Sequence, residues 1–526
     1  MKVLVSDSLS EKGINIFRET PDIDVDVITD LSPEELKRII GKYHALVIRS
    51  STRVTSEIID AAENLKVVGR AGIGLDNVDI SSASKKGIIV MNTPEGNTVT
   101  TAEHTIAMIM ALSRNIPQAT ASLKEGKWEK KKFEGLEIFN KCLGVIGVGR
   151  IGRLVAERAK GLKMKVIAYD PFIKPEVIEG LDLEPVSFEE LLKRSDYITI
   201  HTPSTDDTIN MINKETISKM KKGALLINCA RGDIVNEDDL YEALESGYLK
   251  GAAIDVFRKE PPGKTKLMNL PNFICTPHLG ASTKEAQDRV AEEVAKQIVS
   301  YLLYSSIRNA VNVPNISPEL ISTLRPYAIL AERMGLIQTQ LTDSAILEVQ
   351  INYLGKVTEY NVSPITTAML KGLLSPIVKD QVNFVNAPFI ASERGIKVIE
   401  SKTRESEDFA SLIMLTVKTS TTNNVLSGTI FGNELPRILR INNFFFEAVP
   451  EGHNLLISST DKPGVIGMIT GILGKHNVNI SVMQVGEEKE KKENIILLST
   501  NIAADSETIE ELRALEHISS VRKIEL

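Results

Sequence analysis

Short apolar runs alternate with amphipathic stretches through roughly the first half of the chain. Each run has the length of a buried strand, and stretches such as 33–40 carry the apolar spacing of a helix. This alternation is typical of a mostly parallel sheet with helices on both faces, because a crossover between parallel strands needs a helix. The pattern predicts two doubly wound sheets in succession. The predicted strands are 3–5, 25–28, 45–48, 66–68 and 88–90 in the first sheet, and 143–146, 165–169, 197–200, 224–227 and 251–255 in the second.

Two longer helical segments flank the second series. Residues 98–112 are apolar and rich in small side chains, which predicts a buried helix serving as a connector or an interface, with Arg114 and Pro117 marking its end. Residues 282–303 begin with Ser-Thr-Lys-Glu and also predict a helix. The Val-Asn-Val-Pro-Asn sequence at 311–315 then breaks the periodicity, and we expect a domain boundary there.

The sequence after residue 314 predicts two further units. Residues 315–450 mix helical and alternating segments, with no recognisable catalytic pattern. The final segment predicts the order βαββαβ, which is a ferredoxin-like unit. Its charged EEKEKKE stretch at 487–493 is interpreted as a solvated turn. The predicted elements are strand 454–459, helix 463–475, strands 479–485 and 494–500, helix 506–515 and strand 519–524.

The composition limits the class of protein and its partners. A chain of 526 residues favours several domains, at roughly 150 residues each. The 62 Lys and Arg residues against 69 Asp and Glu give a net charge of −7, so no overall basic field attracts nucleic acid or an anionic membrane. The 3 cysteines are too few for a disulfide framework. Without an apolar leader or a membrane-length apolar run, the sequence predicts a cytoplasmic protein.

A glycine-rich motif provides the sharpest local signal. Gly147, Gly149 and Gly152 form Gly-x-Gly-x-x-Gly between a predicted strand and a predicted helix. These glycines permit a tight turn, close approach of a pyrophosphate and close packing of helix on strand. Asp170 ends the next strand, where its carboxylate can accept hydrogen bonds from a ribose diol. The pattern predicts a dinucleotide site, and the charge of Asp170 favours NAD over NADP.

A second set of polar residues follows the later strands, at the sheet edge where such folds bind ligands. Arg231 can hold a carboxylate by a bidentate fork, although a surface ion pair is the alternative. His278 is suited to proton transfer, and Glu260 would orient its ring and favour the imidazolium. Asp255 also ends a predicted strand. Together with the dinucleotide site, these residues predict hydride transfer at the α-carbon of a 2-hydroxy acid.

Three other histidines compete for a chemical role. His201 lies at a strand end, and His44 has no distinguishing context. His104 falls inside the helix that begins near residue 98, where packing or a subunit contact is the favoured interpretation. No metalloprotease, Cys-x-x-Cys, P-loop or serine-hydrolase motif is present, so no metal site is predicted.

Six sequence strings together resemble the D-isomer-specific 2-hydroxyacid dehydrogenases over about residues 1–310. They are VVGRAGIGLDNVD, MNTPEGNT, LGVIGVGRIG, INCARGDIV, AAIDVF with EPP, and TPHLGAST. The resemblance implies that Arg231, Glu260 and His278 form the catalytic set, with NAD as cofactor. It also implies that a nucleotide-binding domain at 98–282 is inserted into a substrate domain formed by 1–97 and 283–311, with an intervening domain at 312–450 and a regulatory domain at 451–526.

The resemblance extends to the ligand contacts. Backbone groups of the 72–74 loop, including Gly72, would bind the substrate carboxylate, and the implied substrate is 3-phospho-D-glycerate, oxidised to 3-phosphohydroxypyruvate on the route to L-serine. The candidates for holding its phosphate are Arg49, Arg53, Arg70 and Lys130. Besides the motif glycines, the implied NAD contacts are Ile73, Arg150, Ile151, Asp170, Thr202, Cys229, Ala230, Arg231, Asp255, His278, Leu279, Gly280 and Ala281.

The terminal unit resembles an ACT regulatory domain, in which Asp461 and Asn479 match serine-contacting positions and imply L-serine as an effector. Residues 315–450 resemble the intervening domain of the family's long forms, where Arg437 and Arg440 serve an anion site or lie on a helix surface. The helix from residue 98 and the terminal domain provide two interfaces, which favours a homotetramer. Two alternatives stay open: a reductase of glyoxylate, hydroxypyruvate or another 2-oxo acid, and a non-catalytic NAD sensor.

Overall fold

The computed structural model describes residues 1–313, 318–378, 382–406, 409–432, 434–488 and 493–526. The first sheet has five parallel strands in the order β2-β1-β3-β4-β5. Its central strands carry unbroken apolar runs because helices cover both faces. The elements are β1 (Lys2–Val5), α1 (Glu11–Glu19), β2 (Asp24–Val27), α2 (Pro33–Ile39), β3 (Ala45–Ile48), α3 (Ser56–Ala61), β4 (Val67–Arg70), α4 (Ile80–Lys85) and β5 (Ile89–Met91).

The second sheet has seven parallel strands in the order β12-β11-β10-β9-β6-β7-β8. The chain moves outward from β6 to β8 and then returns to β9 on the other side of β6, which creates a crevice at the carboxyl ends of β6 and β9. The elements are α5 (Thr98–Ser113), α6 (Ile116–Lys124), β6 (Cys142–Ile146), α7 (Arg150–Gly161), β7 (Lys165–Tyr169), α8 (Pro175–Glu179), β8 (Glu184–Pro185), α9 (Phe188–Arg194), β9 (Tyr197–Ile200), α10 (Lys214–Ser218), β10 (Leu225–Asn228), α11 (Glu237–Glu245), β11 (Gly251–Ile254), β12 (Phe273–Cys275) and α12 (Lys284–Tyr304).

Helix α12 returns to the first sheet. Its Val294 and Ile298 are fully buried in the same core as Val3 and Val5 of β1. The seven-stranded sheet is therefore enclosed in the chain between two parts of the first lobe. Pro117, expected to end a helix, lies in the first turn of α6, where proline's missing N–H costs nothing.

The third sheet has six strands of mixed direction in the order β14-β13-β15-β16-β17-β18. Arg437 and Arg440 lie on strand β17, so the helix-surface interpretation of these two arginines is wrong. The Asn383 side chain donates to the Gly87 carbonyl at 2.9 Å, which joins this unit to the first lobe. The elements are α13 (Pro318–Gln340), β13 (Ile346–Gly355), α14 (Ser363–Leu374), α15 (Ala387–Glu393), β14 (Lys397–Thr403), β15 (Ser411–Thr419), β16 (Asn423–Phe431), β17 (Leu435–Ile441) and β18 (Phe444–Ala448).

The fourth sheet is antiparallel, in the order β20-β21-β19-β22, and the predicted βαββαβ unit is confirmed. One face packs on the third unit, since Leu456 and Ile524 share a core with Met334 of α13. Part of the charged turn predicted at 487–493 (489–492) lies outside the described residues. In the part of the chain that the structure describes, no helix is long and apolar enough to cross a membrane. The elements are β19 (His453–Thr460), α16 (Val465–Lys475), β20 (Ile480–Glu488), β21 (Glu493–Thr500), α17 (Ser506–Arg513) and β22 (Ile518–Glu525).

Candidate active site

The glycine-rich loop joins β6 to α7 at the crevice. Gly147 has φ +90°, and a Cβ on it would lie 2.7 Å from the carbonyl oxygen of His201. A Cβ on Gly152 would lie 2.0 Å from the Gly147 carbonyl oxygen, so the helix can approach the strand only with glycine there. A Cβ on Gly149 would meet open space, which leaves room for a ligand against the backbone at the start of α7.

The Asp170 carboxylate lies beside this loop. It accepts hydrogen bonds from the backbone N–H of Val148 at 2.9 Å and of Phe172 at 3.0 Å. A carboxylate has about four lone-pair sites, so two hydrogen bonds leave capacity for a ribose diol. The buried hydroxyl of Thr202, just after β9, has no protein partner. The open cradle, the carboxylate and this hydroxyl fit a dinucleotide.

The remaining residues predicted to contact the cofactor follow the strand ends. Arg150 and Ile151 open α7, and the Arg150 guanidinium lies 3.8 Å from the Glu95 carboxylate of the first lobe. Cys229 and Ala230 follow β10 and are buried. Burial raises the pKa of the Cys229 thiol to about 12, so this thiol stays protonated and unreactive at neutral pH. The Ile73 carbonyl accepts from the Asn92 side chain at 2.7 Å.

A buried carboxylate anchors the loop that carries His278. Asp255 is fully buried and accepts from the backbone N–H of Leu279 at 2.7 Å and of Gly280 at 2.8 Å. The backbone N–H of His278 donates to the Asp255 carbonyl at 2.9 Å. His278 itself has φ +54°, a left-handed conformation that non-glycine residues adopt only when their surroundings impose it. Ala281 continues the same loop.

His278 and Glu260, the predicted acid/base pair, lie in direct contact. The Glu260 carboxylate lies 2.7 Å from Nδ1 of His278 and also accepts from the Phe257 N–H at 3.1 Å. Burial, the largest influence, raises the pKa of Glu260, but the hydrogen bonds from His278 and Phe257 outweigh it and hold that pKa below its usual range. Because an ionised carboxylate only accepts, Nδ1 carries a proton, and Nε2 of a neutral ring is the nitrogen that accepts one.

Arg231 reaches from the second lobe to the first. Its Nε lies 3.1 Å from the Asp76 carboxylate, and its Nη1 donates to the Ala230 carbonyl at 2.7 Å. A Cβ on Gly74 would lie 2.1 Å from Nη2, so the guanidinium lies directly against the 72–74 loop. The absence of a side chain at Gly74 therefore lets the Arg231 guanidinium span from the second lobe to the first.

A cluster of positive charge lies beside Arg231 in the first lobe. The pKa of Arg70 is lowered to about 10, first by burial and then by the charges of Arg231 and Arg49, with Asp76 acting in the opposite direction. A Cβ on Gly72 would lie 3.1 Å from the Arg70 guanidinium. Three guanidinium groups stand here against the two carboxylates of Asp76 and Asp7, and this excess of positive charge favours an anionic ligand. The two other predicted phosphate contacts, Arg53 and Lys130, are exposed.

Sequence reasoning assigned His104 to packing or a subunit contact and did not anticipate its polar contacts. The structure places its Nε2 3.3 Å from the Asp255 carboxylate and 3.1 Å from the Thr276 hydroxyl. Its position in an apolar helix three residues after Thr101, which contacts the same loop, is the signal that could have indicated it. Among the described residues, no group of three or more His, Cys, Asp or Glu is arranged to hold a metal ion.

Three segments of the chain match known family models. Residues 106–280 match the NAD binding domain of the D-isomer specific 2-hydroxyacid dehydrogenases. Residues 323–442 match the D-3-phosphoglycerate dehydrogenase intervening domain, and residues 453–517 match the ACT domain. The crystal structure of D-lactate dehydrogenase from Aquifex aeolicus complexed with NAD and lactic acid is 30% identical, with a TM-score of 0.53, and covers 60% of this chain and 100% of its own.

Two relatives that match this chain over its full length share one name with each other. The D-3-phosphoglycerate dehydrogenases of Archaeoglobus fulgidus and Methanocaldococcus jannaschii are each 44% identical to this chain. Each match covers 100% of this chain and 100% of the relative. The fold, the site and these similarities define the class: an NAD-dependent dehydrogenase of the D-isomer-specific 2-hydroxyacid type. Within that class, the chain belongs to the D-3-phosphoglycerate dehydrogenase family.

Proposed function

We propose that this enzyme oxidises the C2 hydroxyl of 3-phospho-D-glycerate to give 3-phosphohydroxypyruvate, the first step of the phosphorylated route to L-serine. The observation that carries the chemistry is the 2.7 Å contact between Glu260 and Nδ1 of His278, at the edge of the sheet that also bears the glycine-rich loop. The cationic cluster beside Arg231 supports a substrate with two acidic groups. The names of the full-length relatives support the particular substrate.

In this mechanism His278 takes the proton of the substrate hydroxyl on Nε2. Glu260 holds Nδ1–H and compensates the positive charge that the ring gains. Arg231 steadies the oxygen that becomes a carbonyl, and together with the backbone of the 72–74 loop it binds the carboxylate. When bound in the crevice, NAD supplies the acceptor for the hydride that leaves C2.

We assign the substrate phosphate to the cluster of Arg49 and Arg70, with Arg53 and Lys130 as exposed further candidates. This division gives each acidic group of the substrate its own cations.

The proposal also includes the domain limits given above, with 1–97 and 283–311 forming one substrate lobe. It includes a cytoplasmic location, which the 3 free cysteines favour.

The first test is NADH formation by the purified protein with 3-phosphoglycerate and NAD at alkaline pH, with the product removed. Glyoxylate and hydroxypyruvate are offered with NADH in parallel. We expect turnover of 3-phosphoglycerate to exceed that of either 2-oxo acid. A protein that reduced glyoxylate or hydroxypyruvate and left 3-phosphoglycerate untouched would be the alternative reductase, and one that bound NAD without any turnover would be a sensor.

Replacing Asp170 with asparagine should shift cofactor preference. The Asp170→Asn side chain keeps one oxygen to accept from the Val148 N–H, and it loses the charge that repels a 2′-phosphate. We expect kcat/KM for NAD to fall and the NAD-to-NADP ratio to shift by about tenfold or more. Asp182→Asn, at an exposed carboxylate of the same lobe, is the matched control. An unchanged ratio would refute the assignment of Asp170 to the ribose.

The regulatory residues lie at opposite ends of the fourth sheet. Strand β21 pairs Thr460 with Glu493 at one end and Ile480 with Thr500 at the other, about 24 Å apart along the strand, and Asp461 and Asn479 each lie one residue further out. One chain therefore cannot place both on one serine molecule. We infer that L-serine binds between the ACT domains of two chains, and that this contact and one through α5 build a homotetramer.

Serine inhibition of mixed oligomers tests this two-chain site. Asp461→Ala and Asn479→Ala should each weaken inhibition at least tenfold, because each removes one polar contact from every site. If the two variants are co-assembled, one of the two sites in a mixed pair combines the intact Asp461 with the intact Asn479, so part of the inhibition should return. No recovery in the mixture would contradict a site shared between chains.

A further inference from the structure

His104 and Thr101 lie three residues apart on α5 and contact the loop that carries the acid/base histidine. Thr101 donates through its hydroxyl to the Gly280 carbonyl at 3.1 Å. His104 lies with its Nε2 3.1 Å from the Thr276 hydroxyl and 3.3 Å from the Asp255 carboxylate. Residues three apart on a helix share a face, so α5 holds the loop at two points along one side.

The hydrogen bonds around Asp255 determine that Nε2 of the His104 ring acts as a donor. The Thr276 hydroxyl donates its single proton to the Asp255 carboxylate, at 2.5 Å. It can then only accept from His104, and the carboxylate accepts as well. Nε2 of His104 therefore carries a proton and donates it between the two oxygens. This bond supports a carboxylate that is 1% exposed and depends on such donors for its charge.

The same carboxylate determines where His278 lies. Besides these side chains, Asp255 holds the backbone N–H groups of Leu279 and Gly280, directly after His278. A histidine in the left-handed region persists only while neighbouring contacts over-determine it. Any loosening of the carboxylate therefore allows the His278 backbone to relax and its ring to leave the orientation set by Glu260.

We propose that His104 is a positioning residue of this enzyme: by donating from Nε2 to Asp255 and Thr276, it fixes the 276–280 loop and holds His278 in the geometry for proton transfer. His104 touches no reacting atom in this scheme. The expected effect of His104 on turnover rests on the proposed function, whereas its expected effect on the 276–280 loop does not.

The test compares two replacements of similar size. His104→Gln retains an N–H donor near the position of Nε2, and His104→Met lacks one. Exchange of the Leu279 and Gly280 amide protons, followed by mass spectrometry of the peptide that contains them, reports the loop without any substrate. We expect exchange to accelerate about tenfold in His104→Met and less than threefold in His104→Gln. kcat should follow the same order, with the larger loss in His104→Met.

Several results would overturn the proposal. Equal exchange in the Gln and Met variants would mean that the hydrogen bond does not hold the loop, and so would wild-type exchange in His104→Met. If His104→Met folds poorly, His104→Leu is compared with His104→Gln instead, because leucine also lacks the N–H donor and leaves the Thr276–Asp255 hydrogen bond in place. Faster exchange in His104→Leu than in His104→Gln supports the proposal, and equal exchange in both refutes it. If the wild type fails to oxidise 3-phosphoglycerate, the proposed function falls, while the exchange data still decide the role of His104.

Discussion

Replacing His278 with glutamine should lower kcat by a factor of about 10² to 10⁴ and leave NAD affinity nearly unchanged. The reason is that His278 is assigned the only proton transfer in the reaction, and a positioned acid/base group contributes about that much to rate. Glutamine retains a polar group near the position of Nε2 but cannot accept a proton at neutral pH. Steady-state kinetics with 3-phosphoglycerate and NAD binding measured without substrate check the two halves of this expectation.

The matched control is His453→Gln, at an exposed histidine of the fourth sheet, which should retain wild-type kcat. The kcat of Glu260→Gln should lie between those of His278→Gln and His453→Gln. The amide oxygen still accepts a hydrogen bond from the His278 ring, but it carries no charge to compensate the protonated ring. If His278→Gln turned over normally, proton transfer would have to pass through another group. If NAD affinity fell in parallel with kcat, the substitution would have disturbed the 276–280 loop rather than the chemistry.

The sequence was sufficient to predict those parts of the fold that depend on local pattern. Parallel strands buried on both faces appear as unbroken apolar runs, and for this reason β3, β7 and β9 were predicted at their observed bounds. The motif glycines were also predictable, because their spacing between a strand and a helix is a local sequence pattern, and Gly152 is required by the Gly147 carbonyl of the same unit. The strand that carries Arg437 was misinterpreted, since its apolar and basic residues do not alternate strictly and a bulge interrupts its pairing.

The candidate site was less predictable where it depends on contacts between distant parts of the chain. Nothing in the residues around Arg231 indicates that its guanidinium lies against Gly74 and Asp76 of the other lobe. The role of His104 depends on a carboxylate about 150 residues away, which periodicity cannot reveal. The resemblance to an ACT domain likewise assigned Asp461 and Asn479 to serine binding. Only the strand register shows that the two residues of one chain lie at opposite ends of the sheet.

The second large effect is expected at Arg231. Arg231→Gln should lower kcat/KM for 3-phosphoglycerate by a factor of about 10² to 10³, the range found when one donor to a developing oxyanion is removed. Arg231→Lys should recover part of this loss in KM but little in kcat, because an ammonium supplies charge without the planar fork. Arg231 is also an implied NAD contact, but the glycine-rich loop and Asp170 are unchanged in both variants, so NAD affinity measured without substrate should change less than threefold.

Arg194→Gln provides the matched control for Arg231. Its guanidinium forms a two-bond contact with Glu184, at 2.7 and 2.8 Å, on the surface of the same lobe, so the same chemical change is made away from the cleft. We expect kcat/KM in this variant within twofold of the wild type. If Arg231→Lys matched the wild type in kcat, charge alone would be sufficient, and the bidentate contact with the substrate would be wrong. If Arg231→Gln weakened NAD binding as strongly as turnover, the arginine would act on the cofactor, because only a substrate contact leaves binding of NAD alone intact.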